Sequence, residues 1–96
     1  MALATAPSTL HLHPDDNIAV ATRPIPKDAP LNLTIQGHDL FAREAIDLGH
    51  KVAVKPIAKG DPILKFGQMI GFATCAIHPG QWVHTHNVEA GELSLD

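Results

Sequence analysis

Short runs in which apolar and polar residues alternate, separated by turn residues, occupy most of the chain. The alternation is clearest at 31–35, where Leu31, Leu33 and Ile35 share one face. A period of two residues is typical of a strand with one buried face. The runs that predict strands are residues 9–13, 18–22, 31–35, 49–55, 63–66, 69–77 and 82–88. The first two lie close enough along the chain to pair as a hairpin.

Turn-forming residues and prolines lie between these runs. Gly60-Asp61-Pro62 and His78-Pro79-Gly80-Gln81 favour turns, because Gly tolerates positive φ and Pro fixes φ. Three prolines within 23–30 exclude both a helix and a central strand, so we expect a surface connection there. The apolar residues of 40–48 allow either a short helix or a strand. The predicted organisation is a flexible N-terminus (1–8), one folded domain (9–88) and an acidic C-terminal tail (89–96).

Composition is that of a small globular protein. The 96 residues suffice for one domain, and 45% hydrophobic with 18% charged residues is not the balance of a disordered chain. A net charge of −3 gives no electrostatic reason to expect nucleic acid or an acidic membrane as partner. One Cys cannot form an internal disulfide, and no signal peptide or long apolar run is evident. We therefore expect a soluble cytoplasmic protein, whose open strand edges favour a homo-oligomer.

Two histidines in the last predicted strand are the clearest candidates for chemistry. On a strand over 82–88, His84 and His86 point the same way. Two imidazoles so spaced can converge on one metal ion (Fe, Zn, Mn or Ni suit them equally) or on one anionic substrate. The alternative is a pair of solvent-exposed histidines, because a bare His-x-His is short and common.

The single Trp and the single Cys are both predicted to be packing residues. Trp82 is expected to anchor the packing beside the His-x-His pair, and its indole N–H needs a partner if it is buried. Cys75 lies within the apolar run 69–77, where a free thiol behaves as a small buried hydrophobe. Its neighbours offer no electropositive environment that would make it a nucleophile.

Several short motifs, in the same order along 11–87, resemble one known family. They are Leu12-His13-x-x-Asp16-Asn17-x-Ala19-Val20-Ala21, Gly49-His50-Lys51-Val52-Ala53, Lys59-Gly60, Ile63-x-Lys65-Phe66-Gly67, Ile70-Gly71 and Val83-His84-x-His86-Asn87. With them the chain resembles the SAF domain, of the β-clip fold, that begins altronate and galactarate dehydratases. Free-standing small subunits of two-part altronate dehydratase and of sulfolactate sulfo-lyase are similar in architecture.

The resemblance implies a mainly β, β-clip domain and a set of site residues. For the first part of 40–48 it favours a strand over a helix. It implies catalytic roles for His50, His84 and His86, of which the last two are also candidate metal ligands. The residues that it implies for substrate binding are His13, Asn17, Lys51, Lys65 and Asn87, and the amide of Gln68 is a further candidate to bind a hydroxyl group of the substrate. Phe66 stands where the family often has Tyr, so a hydroxyl function at that position is absent.

The resemblance also implies a partner. The similar dehydratases carry most of their catalytic machinery in a much larger carboxy-terminal domain, which these residues do not contain. We therefore expect a small subunit or accessory domain that closes over a sugar acid or hydroxy acid bound by a large catalytic dehydratase subunit. A divalent metal ion (Fe, Mn or Mg) would be held mainly by that partner. Two alternatives stay open: a stand-alone carbohydrate- or acid-binding module, and a purely structural assembly domain.

Overall fold

The computed structural model describes residues 8–90, which form nine short strands and no helix. The predicted mainly β fold is therefore confirmed. The strands are β1 (Thr9–Leu10), β2 (Ile18–Ala21), β3 (Pro30–Ile35), β4 (His38–Phe41), β5 (Lys51–Ala53), β6 (Pro62–Lys65), β7 (Gln68–Ala73), β8 (Trp82–Val83) and β9 (Val88–Ala90). Across these residues no helix is present that is long and apolar enough to cross a membrane.

All strand pairs are antiparallel and fall into three small sheets. The largest has the order β1-β2-β5-β8, and the predicted hairpin between the first two strands is confirmed by the pairing of Thr9 with Ala21. The strands β3 and β4 form a separate hairpin, so the first part of 40–48 is extended as favoured. The third sheet has the order β6-β7-β9.

One sequence motif occurs four times and organises this fold. It consists of Ala, Ile four positions later, a residue with positive φ three positions after Ile, and an apolar residue three positions further on. The copies are Ala21, Ile25, Asp28 and Leu31; Ala42, Ile46, Gly49 and Val52; Ala53, Ile57, Gly60 and Ile63; and Ala73, Ile77, Gly80 and Val83. Every Ala, Ile and final apolar residue of the set is at most 3% exposed. The motif therefore supplies most of the core.

Hydrogen bonds join the copies in pairs, the first to the second and the third to the fourth. Ile25 and Ile46 exchange two backbone hydrogen bonds of 2.8 Å each, and Ile57 and Ile77 exchange two of 2.9 and 2.7 Å. In each copy the N–H of the positive-φ residue donates to the carbonyl of the Ala in the paired copy, as Gly80 does to Ala53 at 2.8 Å. The positive φ gives each copy a type II turn, which explains Gly at three of the four positions.

The core has two parts that correspond to the two pairs of copies. One is built around Ile25 and Ile46, and the other around Ile57 and Ile77. The central strand β5 contributes to both, since Val52 packs in the first part and Ala53 in the second. The four-stranded sheet therefore connects the two halves of the domain.

Four strands are shorter than the sequence predicts: 9–13 is extended only as Thr9–Leu10 and 49–55 only as Lys51–Ala53, and the runs 69–77 and 82–88 also end early. The strand β7 ends at Ala73, and the chain then bends, so that Cys75 is exposed and the prediction of a buried thiol is wrong. The physical reason is that Ile77, two residues later, enters the core through its pairing with Ile57. The predicted strand over 82–88 is also wrong beyond Val83, because 84–87 form a turn before β9.

The ends of the described region take part in the fold. Ser8 is buried; its backbone N–H donates to the Asn32 side chain and its hydroxyl to the Pro30 carbonyl. Glu89 and Ala90, which the predicted acidic tail includes, lie in β9 and pair with β7. The remainder of the predicted flexible N-terminus and of the predicted tail falls outside the described residues.

Candidate active site

The indole ring of Trp82 is the centre of a cluster of imidazoles. The His84 ring is stacked on it, with a centroid distance of 4.9 Å and an interplanar angle of 9°. His86 lies 5.0 Å away at 37°, and His50 lies 5.7 Å away at 36°. His50 and His84 are also in contact, at 5.2 Å. The three residues predicted to be catalytic therefore lie around one side chain, which we call the Trp82 cluster (His50, Trp82, His84 and His86).

Three polar side chains hold Trp82 in this position. The Glu44 carboxylate accepts the backbone N–H of Trp82 at 3.0 Å, and the Asn87 amide donates to its backbone carbonyl at 2.8 Å. The indole N–H donates to Nδ1 of His50 at 3.1 Å, which gives it the partner that the sequence required. Both backbone groups and the ring are thus fixed, so the position of the cluster is determined by its neighbours.

The hydrogen bond from Trp82 also determines the proton position on His50. An indole N–H can only donate, so Nδ1 of His50 must be the acceptor. The proton of the neutral imidazole is then on Nε2, which becomes a hydrogen-bond donor. His50 is half-buried, whereas His84 and His86 are exposed. The cluster therefore combines one oriented donor with two imidazoles that are exposed to solvent.

A tight turn, and not a strand face, brings His84 and His86 to the indole. The Asn87 side chain accepts the backbone N–H of His84 at 2.9 Å, and the Asn87 N–H donates to the His84 carbonyl at 3.1 Å. The turn is needed because β8 pairs with β5, whereas β9 pairs with β7 in another sheet. The buried Asn87, predicted to bind substrate, uses its side chain to hold this turn.

Lys51 follows His50 and opens onto a pocket beside the cluster. The strands β5 and β8 pair Lys51 with Val83, so the lysine lies directly across from the start of the turn. The pocket has a volume of about 250 Å³. Its lining residues are Lys51, Ile63, Ile70, Val83, His84, Thr85, Val88 and Ala90.

The other predicted substrate-binding residues form a second group around the β6–β7 hairpin. Asn17 donates to the Pro62 carbonyl and accepts the N–H of Leu64, both at 2.8 Å, so its amide holds β6. The His13 ring lies close against Gly67 at the hairpin turn. Lys65 and Gln68 pair on either side of that turn. The structure therefore brings His50, Lys51, His84, His86 and Asn87 together and places His13, Asn17, Lys65 and Gln68 in a separate set of contacts.

Asp16 is the residue that holds this hairpin, and the sequence did not assign it a role. Its carboxylate is 1% exposed and accepts the N–H groups of Phe66 and Gly67 at 2.8 and 2.7 Å. Both of those residues have positive φ, 58° and 72°, as the favoured two-residue hairpin turn requires. Phe is a poor residue for that conformation, so the buried carboxylate compensates for the choice.

Glu44 is the second residue that the sequence did not assign. Its role depends on contact with Trp82, 38 positions away, and no local pattern signals it. Asp16 did have a signal, because it lies within the motif Asp16-Asn17 that the resemblance uses.

Within residues 8–90 no three His, Cys, Asp or Glu side chains are placed to share a metal ion. A metal held mainly by a partner, with His84 and His86 contributing, stays a prediction.

Comparison with known proteins gives the same family for most of the chain. The family model described as the altronate/galactarate dehydratase SAF domain matches residues 7–91. Altronate dehydratase of Escherichia coli (strain K12) is 32% identical over 87 residues, which are 91% of this chain and 17% of that protein. Altronate dehydratase of Bacillus subtilis (strain 168) is 34% identical over 82 residues, 85% of this chain and 16% of that protein.

A shorter relative is similar over part of the chain. The protein named (2R)-sulfolactate sulfo-lyase subunit alpha, from Paracoccus pantotrophus, is 42% identical over 48 residues, 50% of this chain and 72% of that subunit. The chain spans less than a fifth of the length of the two altronate dehydratases. With a family match that extends over residues 7–91, this chain belongs to the SAF domain family of altronate and galactarate dehydratases.

Proposed function

We propose that this chain is the small subunit or accessory domain of a two-part lyase that acts on a sugar acid or a related hydroxy acid. A large catalytic subunit would complete the site. The observation that carries the proposal is the Trp82 cluster, because residues of two motifs as far apart as His50 and His84, 34 positions, are in contact. Membership of the dehydratase SAF family supports the reaction class.

The chemistry of such a lyase suits the groups that this chain offers. In the elimination a base takes the proton from the carbon next to a carboxylate, a C=C bond forms, and the C–O or C–S bond at the adjacent carbon breaks. The leaving group needs a proton or a hydrogen bond as it departs, and an exposed imidazole such as His84 or His86 can supply it. The Nε2–H of His50 donates to a substrate oxygen.

The predicted metal belongs mainly to the partner in this proposal. A divalent ion (Fe, Mn or Mg) would be held by the large subunit. His84 and His86 are the ligands that this chain offers, and whichever of them binds the ion is not the proton donor. When bound, it supplies stabilisation of the negative charge that develops on the substrate carboxylate. This chain's own part is to orient the substrate and to hold a proton at the cluster.

The first experiment identifies the partner and the substrate. The chain is used to capture its binding partner from the lysate of its own organism, and the complex is assayed with altronate, galactarate and sulfolactate. We expect a stoichiometric large subunit that resembles the remainder of a dehydratase, together with turnover of one of these acids. A chain that is captured alone, and that binds sugar acids by calorimetry without a partner, would instead be the stand-alone binding module.

The second experiment removes the two exposed histidines of the cluster. His84→Ala combined with His86→Ala should lower turnover by the assembled enzyme at least about a hundredfold, the usual scale for loss of acid–base assistance. Circular dichroism should show an unchanged fold, because both side chains are exposed. The matched control is His38→Ala, another exposed histidine, placed in β4. Wild-type turnover in the double variant rules out a site role for the pair.

A further inference from the structure

The pocket beside the Trp82 cluster lies between two sheets and has apolar walls. Strands β5 and β8 of the four-stranded sheet form one side, and β6, β7 and β9 of the three-stranded sheet form the other. Ile63 and Val83, both at most 2% exposed, belong to its lining and to the core beneath. Its volume of about 250 Å³ is large enough for an apolar side chain of any size.

A β-bulge turns one wall residue outward. The register of β6 and β7 shifts between the pairs Ile63–Gly71 and Leu64–Met69, so Ile70 has no opposite residue in this ladder. Bulges redirect side chains in this way and are found next to functional sites. Ile70 is 38% exposed and lines the pocket. A concave site with apolar walls is typical of a binding site for another molecule.

The only positive charge among the lining residues is Lys51, a half-buried residue whose ammonium group has no hydrogen bond or ion pair with the rest of residues 8–90. An ammonium group partly removed from water favours a carboxylate opposite it. The apolar walls, however, do not suit a polyhydroxy chain, because its hydroxyl groups would lose their partners there. An apolar side chain next to a carboxylate matches both features.

We propose that this pocket receives an apolar side chain of the large catalytic subunit, and that a carboxylate of the same subunit pairs with Lys51. The inference rests on the proposed function. His84 lines the pocket and also stacks on Trp82, so docking here places the subunit boundary directly beside the cluster. In the altronate dehydratases the matched segment is less than a fifth of the protein, so a SAF domain there has a much larger neighbour.

The test measures the dissociation constant between the full chain and its purified large subunit. Ile70→Asp places a charge in the apolar wall, and Lys51→Glu reverses the charge at the rim. We expect each to weaken binding about a hundredfold, as expected for central interface residues. The matched control is Leu48→Asp, which changes an apolar residue that is 61% exposed and does not line the pocket. If Ile70→Asp does not fold, Ile70→Ser with Lys51→Glu tests the same surface.

The same experiment separates this inference from the proposed function. The His86→Ala variant, which changes a residue of the Trp82 cluster that does not line the pocket, should bind the large subunit normally and lose turnover, whereas the pocket variants should lose binding. Unchanged binding in both pocket variants overturns the docking site and leaves the lyase proposal standing. The docking site is also overturned if the pocket variants still bind the large subunit but lose another property. Loss of self-association would show that the occupant is a second copy of this chain, and loss of sugar-acid binding would show that it is a small acid. If the wild-type chain binds no large subunit, the proposed function itself fails.

Discussion

At the scale of single residues, a few polar side chains fix the site by bonding to backbone. Asn87 and Glu44 fix the backbone of Trp82, and Asp16 fixes the turn at Phe66. Each replaces a partner that a regular strand would have supplied, since buried backbone groups need hydrogen bonds. Asn87, which the resemblance implies for substrate binding, therefore also has a structural role. Its replacement would change the turn at 84–87 as well as any contact with substrate.

We expect Asp16→Asn to destabilise the domain by about 2 kcal/mol, because an amide can accept only one of the two N–H groups and points its own N–H at the other. Asp16 is 1% exposed, so water cannot take over the lost bond. The free energy of unfolding should be measured by urea titration.

The control for that change is the neighbouring residue. Asp15 has a side chain that is 77% exposed, and Asp15→Asn should alter the free energy of unfolding by less than about 0.5 kcal/mol. Equal stabilities of the two variants would contradict the role given to the Asp16 carboxylate.

At the scale of elements, the four copies of the turn share the same backbone conformation but differ in the space around the residue with positive φ. All four turns need positive φ, but only some have space for a side chain. At Gly80 a Cβ would lie 2.3 Å from the Phe41 carbonyl oxygen, whereas at Gly60 it would meet nothing within 4 Å. The same motif position therefore has room for a side chain at Gly60 and has none at Gly80.

We expect Gly80→Ala to cost roughly 3–5 kcal/mol of stability, from backbone strain and from overpacking. Gly60→Ala, at the equivalent position with φ of +89° in place of +94°, should cost only the strain, about 1–2 kcal/mol. Thermal and urea unfolding of the two variants would measure the difference. If both lose the same stability, the close approach to Phe41 has no energetic effect.

Local pattern was sufficient to predict the strands that alternate and the turns that contain Gly or Pro. The run 31–35 and the pairing of the first two strands were predicted correctly for that reason. The turn at 84–87 was missed because it contains neither Gly nor Pro and is held by the Asn87 side chain. The fourfold motif is present in the sequence, but its spacing of four and three residues differs from the two-residue period from which the strands are predicted.

The candidate site could be predicted only as a set of residues. The resemblance indicated His50, His84 and His86, but their contact depends on the pairing of β5 with β8 across more than thirty positions. The separation of His13 and Asn17 from that cluster has the same origin, because they contact the β6–β7 hairpin. The residue pattern of a short segment predicts that it is a strand, but it does not indicate which distant strand it pairs with.

At the scale of the whole molecule, two small core parts depend on one another. Each contains seven or eight buried residues, which is too little to support a folded unit alone. They meet in β5, where Val52 and Ala53 are neighbours in sequence and belong to different parts. The domain is therefore expected to unfold in a single step.

We expect Ile25→Ala and Ile57→Ala, one in each core part, to lower stability by a similar amount, about 3 kcal/mol. Each should shift the whole transition, followed by far-ultraviolet circular dichroism, and each should increase amide hydrogen exchange in both halves. Leu48→Ala serves as the exposed control. Faster exchange confined to the half that carries the substitution would show that the parts unfold separately.

The position of Trp82 has a practical consequence. It is the only Trp in the chain, and three imidazole rings lie within 6 Å of its centre. Indole emission responds to the polarity of its surroundings, and protonated imidazoles nearby quench it. A metal ion, a carboxylate or a protein surface that arrives at the cluster therefore changes the light that the domain emits. The candidate site contains its own optical reporter, and no label is needed to detect what binds there.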